Sequence, residues 1–148
     1  MKGLYLIRPG RPSDLNFIMN SWLMSYRGSK FSERILKSTY FREHHDFAQA
    51  ALGRSAVFCA VAKDDEEHIY GWACIEPPTG DELTRALHYV YVKHPYRNFG
   101  IAGALLDHVL ENEDEFEYTH LAGGRLEHYL NDGGYYNPYR FFKIGGSE

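Results

Sequence analysis

The sequence predicts an α+β (α/β) fold: a mixed, mostly antiparallel central sheet flanked by helices. Three observations predict it. Apolar strand-length runs and amphipathic helical stretches share one chain of 148 residues, with no repeat, low-complexity tract or interdomain linker. The runs Ala56–Lys63 and Ile69–Glu76 are separated only by Asp64-Asp65-Glu66-Glu67, the pattern of an antiparallel hairpin. A helical stretch lies between a strand ending at Val92 and a strand Phe116–Ala122. Such a crossover makes that one pair parallel.

Each element follows in order. Leu4–Arg8 is a short strand, stopped by Pro9 and Pro12. Ser13 is a good N-cap, with Asp14 in the first turn where the dipole favours it. Leu15, Ile18, Met19, Trp22, Leu23 and Tyr26 then form one apolar helical face. A second helical region runs from Ser32 to Leu52 and stops at Gly53. It is one helix, or two with a break near Ser38-Thr39. Ala56–Lys63 is small and apolar, as in a strand covered on both faces. Pro77–Gly80 is a loop, and the central strand starts at Leu83 or Thr84 and ends at Val92. The next helix opens near Ile101 and carries Leu105, Leu106, Val109 and Leu110 at helical spacing. Glu113-Asp114-Glu115 connects to the strand Phe116–Ala122. Gly123-Gly124 turns the chain, and Leu126–Leu130 is at most a short helix. After Gly133-Gly134, Tyr135–Tyr139 is a turn or extended segment, and Arg140–Ile144 is a final strand.

Composition narrows the function classes. The length suits a single domain over residues 1–148 with a real core. A formal charge of −4 and scattered Lys and Arg disfavour a nucleic-acid partner, which needs a basic face. The N-terminus has no signal-peptide pattern and the chain no apolar run of about 18 residues, so no membrane partner is expected. Cys59 and Cys74 both fall in strands and read as reduced core thiols of a cytoplasmic protein, with a disulfide the lesser alternative. Metal binding is not expected. His44 and His45 diverge on a helix, and no carboxylate stands at ligand spacing from His88 and His94.

The stretch Leu87–Glu111 carries the chemistry. It reads as a strand, a basic glycine turn and a helix, which together make a general anion site. N–H groups from about Phe99 to Gly103 can form one nest, and Gly100 removes a Cβ that would block close approach. Arg97 and Lys93 add charge nearby. The bland alternative is an ordinary glycine turn between a strand and its crossover helix.

Val92-Lys93-His94-Pro95-Tyr96-Arg97-Asn98-Phe99-Gly100-Ile101-Ala102 resembles the acetyl-CoA-binding motif of the GCN5-related N-acetyltransferase (GNAT) superfamily. That motif reads Arg or Gln, two residues, Gly, one residue, then Gly or Ala. Arg97, Gly100 and Ala102 fill it, and Leu105-Leu106 match the leucine pair of the following helix. Ile7-Arg8-Pro9 with Ser13-Asp14-Leu15, and Tyr70-Gly71-Trp72-Ala73, are similar to further landmarks of the family. The element order agrees over essentially the whole chain. The resemblance implies a GNAT-like sheet whose parallel pair splays around acetyl-CoA, the expected cofactor. It implies that Arg97, Asn98, Phe99, Gly100, Ile101, Ala102 and Gly103 hold the pyrophosphate. It also implies that the pantetheine arm pairs with Val90, Tyr91 and Val92.

The implied activity is N-acetyltransfer to a primary amine by direct attack in a ternary complex. The acceptor would be a small molecule, peptide or protein, and the protein a monomer or homodimer. His88 is the best base: it stands four residues before Val92, as a histidine does in the arylalkylamine members that this stretch resembles. A partly buried strand histidine hydrogen-bonded to a neighbour is an equal alternative. Glu76 and Glu82 are weaker candidates, read as strand-end or loop charges. Tyr129 is the best acid, since the family places a Tyr about four residues before a Gly-Phe pair. Tyr135 and Tyr136 are the fallbacks, with packing as the other role for each. Tyr26, Tyr40 and Tyr135 are candidate acceptor-pocket walls, with core packing the alternative for each. The irregular stretch after Gly123 keeps a second reading open: a GNAT-fold binding or inhibitory module without transferase activity, similar to small proteins encoded by bacteriophages. A short-chain acyl donor other than acetyl is a third.

Overall fold

The computed structural model describes residues 3–111 and 113–143. Its strands are β1 (Tyr5–Pro9), β2 (Ala56–Ala62), β3 (Asp65–Glu76), β4 (Ala86–Val92), β5 (Phe116–Tyr118) and β6 (Gly134–Tyr136). Its helices are α1 (Leu15–Arg27), α2 (Lys37–Gly53), α3 (Ile101–Leu110) and α4 (Gly124–Asn131). The strands form one sheet in the order β1-β2-β3-β4-β5-β6. The first three pairings are antiparallel and the β4–β5 pair is parallel, as the intervening helix requires. A second parallel pair, not expected, joins β5 to β6 across α4.

Strand alternation sorts the core into two layers. Ala60, Ala73, Leu87, Val92 and Phe116 face α3, where Ile101, Leu105, Leu106, Val109 and Leu110 meet them. Cys59, Val61, Trp72 and Cys74 face the other way, onto Ile18 and Trp22 of α1 and Ala48 and Ala51 of α2. Gly71 lets β3 and β4 close, because a Cβ there would lie 2.5 Å from the Tyr91 carbonyl oxygen. Both cysteines are buried free thiols, and burial pushes each up to about 12.

Several expectations need correction. Ser13 does not cap α1, which is preceded by a short 3-10 turn, Pro12–Asp14. Asp14 instead accepts from Arg8 Nη1 at 2.8 Å and from the Arg11 N–H at 2.7 Å, anchoring the helix start to β1. The second helical region is one helix starting at Lys37, with no break at Ser38-Thr39. Ser32, the expected start of that helical region, lies outside it, and its hydroxyl donates to the Tyr26 carbonyl. The acidic run Asp65–Glu67 belongs to β3, not to a turn, because Asp65 already pairs with Ala62. β4 starts at Ala86, and Leu83 outside it is 92% exposed. β5 ends at Tyr118 rather than Ala122. The last strand is β6, and Arg140 ends a short 3-10 helix instead of beginning a strand. Ile144, the proposed end of that strand, lies outside the described residues.

Candidate active site

The site exists because β5 is short. β4 and β5 pair only at Ala86↔Glu117 and Leu87↔Tyr118, and β4 runs on to Val92 paired with β3 but without β5. The Lys93 N–H donates to the Tyr70 carbonyl on the β3 side. Antiparallel alternation then turns Tyr91 and Tyr89 main-chain groups to β3 and those of Val90 and Val92 to the open edge. A cavity of about 510 Å³ lies along that edge. It is lined by Val90, Tyr91 and Val92, by Arg97, Asn98, Gly100, Ile101, Ala102 and Gly103, and by Arg125, Leu126 and Tyr129 of α4.

One end of this groove gathers main-chain N–H groups. Asn98 and Gly100 have φ of 70° and 82°, which aims consecutive N–H groups to one side. The first bond of α3 runs from the Ala104 N–H to the Gly100 carbonyl, leaving the N–H groups of Ile101, Ala102 and Gly103 without a partner among the described residues, at the positive end of the dipole. Gly100 is required by its backbone angle and not by crowding, since a Cβ there would meet nothing within 4 Å. Arg97 Nε donates to the Val92 carbonyl at 2.7 Å, which ties the turn to the strand end. Phe99 stands half exposed beside the turn and does not line the groove. Lys93 points elsewhere: its ammonium lies 5.0 Å from the centre of the Phe17 ring, over α1.

The other end is a chamber of about 210 Å³ lined by Leu87, His88, Tyr89, Val90, Tyr118, His120 and Leu126, with Tyr26 and Phe31 at one wall. β4 is bulged here. Cys74 faces Tyr89 and Ile75 faces Leu87, so His88 is the extra residue. A third cavity adjoins between α1, α2 and the segment after β5, sharing Tyr26, Phe31 and His120 with the chamber. Tyr26, Tyr40 and His44 line it, whereas Tyr135 is 59% exposed, bonds Glu115, and lines none of these three spaces. Tyr40 is also a core residue whose hydroxyl donates to the Leu23 carbonyl at 2.7 Å.

His88 does not open to solvent; only 1% of it is exposed. Its Nε2 lies 2.7 Å from Glu76 Oε1, and its Nδ1 lies 3.0 Å from Thr119 Oγ1. Glu76 is therefore no strand-end surface charge: it is equally buried and also takes Arg54 Nε at 2.9 Å. Burial opposes the Glu76 charge, but His88 and Arg54 hold its carboxyl below the usual range. Burial pushes His88 down, against the pull of Glu76. Glu82 sits at the rim on Arg140 and Lys143, away from the chamber. Thr119 Oγ1 continues to His120 Nδ1 at 2.9 Å, and His120 Nε2 to His44 Nε2 at 3.0 Å. Sequence reasoning missed Glu76, Thr119, His120 and His44 as a set. The histidine pair is 76 residues apart in the chain, so no local spacing could reveal it.

Tyr129 lies on the α3 side of the groove, and its hydroxyl donates to the Asp107 carboxylate. Burial first, then Asp107, pushes the phenol up to about 12. Among the described residues, no group of three or more His, Cys, Asp or Glu is placed to hold a metal ion, and no helix is long and apolar enough to cross a membrane.

The groove therefore offers an extended main-chain edge leading from an anion nest to a chamber with titratable walls. Solved structures share the fold. An acetyl transferase described from Pyrococcus furiosus is 21% identical, covers 90% of this chain and 93% of its own, and superposes with a TM-score of 0.64. A GNAT family acetyltransferase from Brucella melitensis, solved in complex with acetyl-CoA, is 18% identical, covers 80% of this chain and 77% of its own, and gives 0.55. Among curated proteins, none matches this sequence. The model of the Acetyltransferase (GNAT) family matches residues 17–122, which hold β4, the anion nest, α3 and β5, and the chain belongs to that family.

Proposed function

We propose that the protein is an acetyl-CoA-dependent N-acetyltransferase acting on a primary amine by direct attack in a ternary complex. The observation that carries this reading is the unpaired edge of β4 running straight into the free N–H groups at the start of α3. That pairing of features suits a long ligand with an amide-bearing arm and an anionic end. The arm would pair with Val90 and Val92, and Asn98 to Gly103 would cradle the pyrophosphate. The likeness to the acetyl-CoA complex supports the same donor.

The chain's own residues supply the rest. An attacking amine must lose a proton, and a departing thiolate must gain one. Tyr129 would give a proton at the groove: at about 12 its phenol is fully protonated at neutral pH. His88, joined to Glu76, would be where the amine proton comes to rest. Titration calorimetry tests the donor. Acetyl-CoA is expected to bind with a Kd below about 100 μM, a free energy near 5.5 kcal/mol. Absence of heat at high micromolar coenzyme would sink the reading. Transfer to a panel of primary amines then distinguishes an enzyme from a binding module.

A further inference from the structure

His88 is sealed, so an amine in the chamber cannot touch its ring nitrogens, both of which are already bonded. The chain of hydrogen bonds leading away from it is continuous. It runs Glu76, His88, Thr119, His120, His44, through contacts of 2.7, 3.0, 2.9 and 3.0 Å. It crosses from the floor of the sheet to the cavity between α1 and α2, which His44 lines. His44 is held there by stacking between Tyr26 and Tyr40, at 5.4 and 4.9 Å between ring centres. Its Nδ1 has no side-chain or main-chain partner among the described residues, and the residue lines that cavity.

With Glu76 ionised and the histidines neutral, the shortest contacts set the order of donors along this chain; the Thr119 hydroxyl prefers His88 Nδ1 at 3.0 Å to the His88 carbonyl at 3.4 Å. An ionised carboxylate only accepts, so Glu76 takes the Nε2–H of His88. Neutral His88 then has a bare Nδ1, which needs the Thr119 hydroxyl as its donor. With its hydrogen used, Thr119 Oγ1 accepts the Nδ1–H of His120. The Nε2 of His120 is left bare and must accept from the Nε2–H of His44, since two bare nitrogens at 3.0 Å would repel. His44 is left with a lone pair on Nδ1. One proton added there leaves the chain again fully bonded, with the three bonds between His88 Nδ1 and His44 reversed and the Nε2–H of His88 still donated to Glu76. The charge then sits on His88 against Glu76.

Resting on the acetyltransferase reading, we propose that the acceptor amine gives its proton to His44 Nδ1, and that His120 and Thr119 relay a proton to the His88–Glu76 pair. The amine nitrogen bonds to the thioester carbon while the carbonyl electron pair moves to oxygen. The nitrogen's proton goes to His44 Nδ1. The Nε2–H of His44 passes to His120 Nε2, the Nδ1–H of His120 to Thr119 Oγ1, and the Thr119 hydroxyl proton to His88 Nδ1. The oxyanion collapses, the carbon–sulfur bond breaks, and the thiolate takes a proton from Tyr129, which water restores. His44 is the catalytic residue. Thr119, His120, His88 and Glu76 are positioning residues that act through it. The reverse relay returns the proton to solvent after the products leave.

Two experiments test this on the intact protein. The first needs no ligand: two-bond nitrogen–proton spectra of histidine-labelled protein at pH 7, assigned with single His→Gln variants. The expected tautomers are Nε2–H at His88, Nδ1–H at His120 and Nε2–H at His44. Any one of the three in the other tautomer overturns the relay. The second compares Thr119→Val with Thr119→Ser, using acetyl-CoA and whichever of n-butylamine, phenethylamine or tyramine the wild type acetylates fastest. Removing the hydroxyl is expected to lower kcat about 100-fold with KM for acetyl-CoA unchanged, and Thr119→Ser to restore it to within about threefold. A Thr119→Val enzyme with wild-type kcat overturns the relay. Calorimetry with acetyl-CoA separates the two levels. Wrong tautomers in a protein that binds acetyl-CoA remove only the relay, whereas no acetyl-CoA binding removes the acetyltransferase reading and the relay's role with it.

Discussion

Acid should destabilise this protein earlier than its carboxylates alone would, and His44 should account for a measurable part. Burial pushes His44 from its ordinary 6.5 down to about 4. Between those values the unfolded chain binds a proton that the folded chain refuses. The unfolded state then holds more protons, so stability rises with pH across the window and falls as pH drops through it. Going from pH 7 to pH 4.5, a group with these two values costs the fold about 2 kcal/mol. His120 is driven down by the same burial and by the charges His44 and His88 would carry, and it pushes in the same direction. Asp14 and Glu82 are held below their ordinary values, so their contributions are present above pH 4.5 and fade mostly below it. Urea unfolding at pH 7 and pH 4.5 measures the loss for wild type and for His44→Gln. The variant loses packing against Tyr26 and Tyr40 and should be less stable at pH 7. Its further loss on acidification should be smaller than that of wild type by about 2 kcal/mol. An equal loss in both proteins would mean that His44 is solvated in the folded state, which would refute the burial on which this reasoning stands.

Other substitutions probe the remaining parts. Gly100→Ala forces a Cβ onto a backbone at φ 82° and should cost about 1–2 kcal/mol in urea unfolding. Calorimetry should show weaker acetyl-CoA binding as well, because relaxation of that angle scatters the N–H nest. Arg140→Met removes a cation only 2% exposed that donates to the Thr84 carbonyl at 2.7 Å and to Glu117 at 3.1 Å. Leaving its acidic partners uncompensated should cost about 3–5 kcal/mol, read as a lower urea midpoint. Tyr129→Phe should lower kcat about 100-fold while acetyl-CoA affinity stays within about threefold. Unchanged turnover would remove Tyr129 as the proton donor.

Much of the fold was legible, and for a physical reason. Where one face of an element is buried, apolar spacing reports it, as at Ile18 and Trp22 of α1 or Leu105, Leu106 and Val109 of α3. The turn at Gly100 was legible because chirality restricts its angle. What failed to show was decided by partners distant in sequence. Glu76 looks like a strand-end charge until Arg54 and His88 close around it. Asp14 looks like a helix-start charge until Arg8 takes it. Thr119–Ala122 reads as a continuation of β5, since Leu121 and Ala122 are apolar. Nothing local says that Thr119 will spend its hydroxyl on His88.

That last residue joins the two halves of the site. Had β5 continued to Ala122, it would have paired with β4 beyond Leu87 and closed the edge that Val90 and Val92 now present. The Thr119 N–H still bonds the Leu87 carbonyl at 3.1 Å, so it is the last residue tied to β4. Beyond it the chain leaves, and His120 falls against Trp22, Tyr26 and Phe141 beneath α1. One departure from regular pairing thus does two things. It opens the groove on one side of β4, and it brings a histidine across to meet His44 on the other. The bulge at His88 is the counterpart on the facing strand, turning that ring towards Glu76 and Thr119 in place of the ordinary alternation. A longer β5 or a regular β4 would therefore make a better sheet and lose both the groove and the proton path.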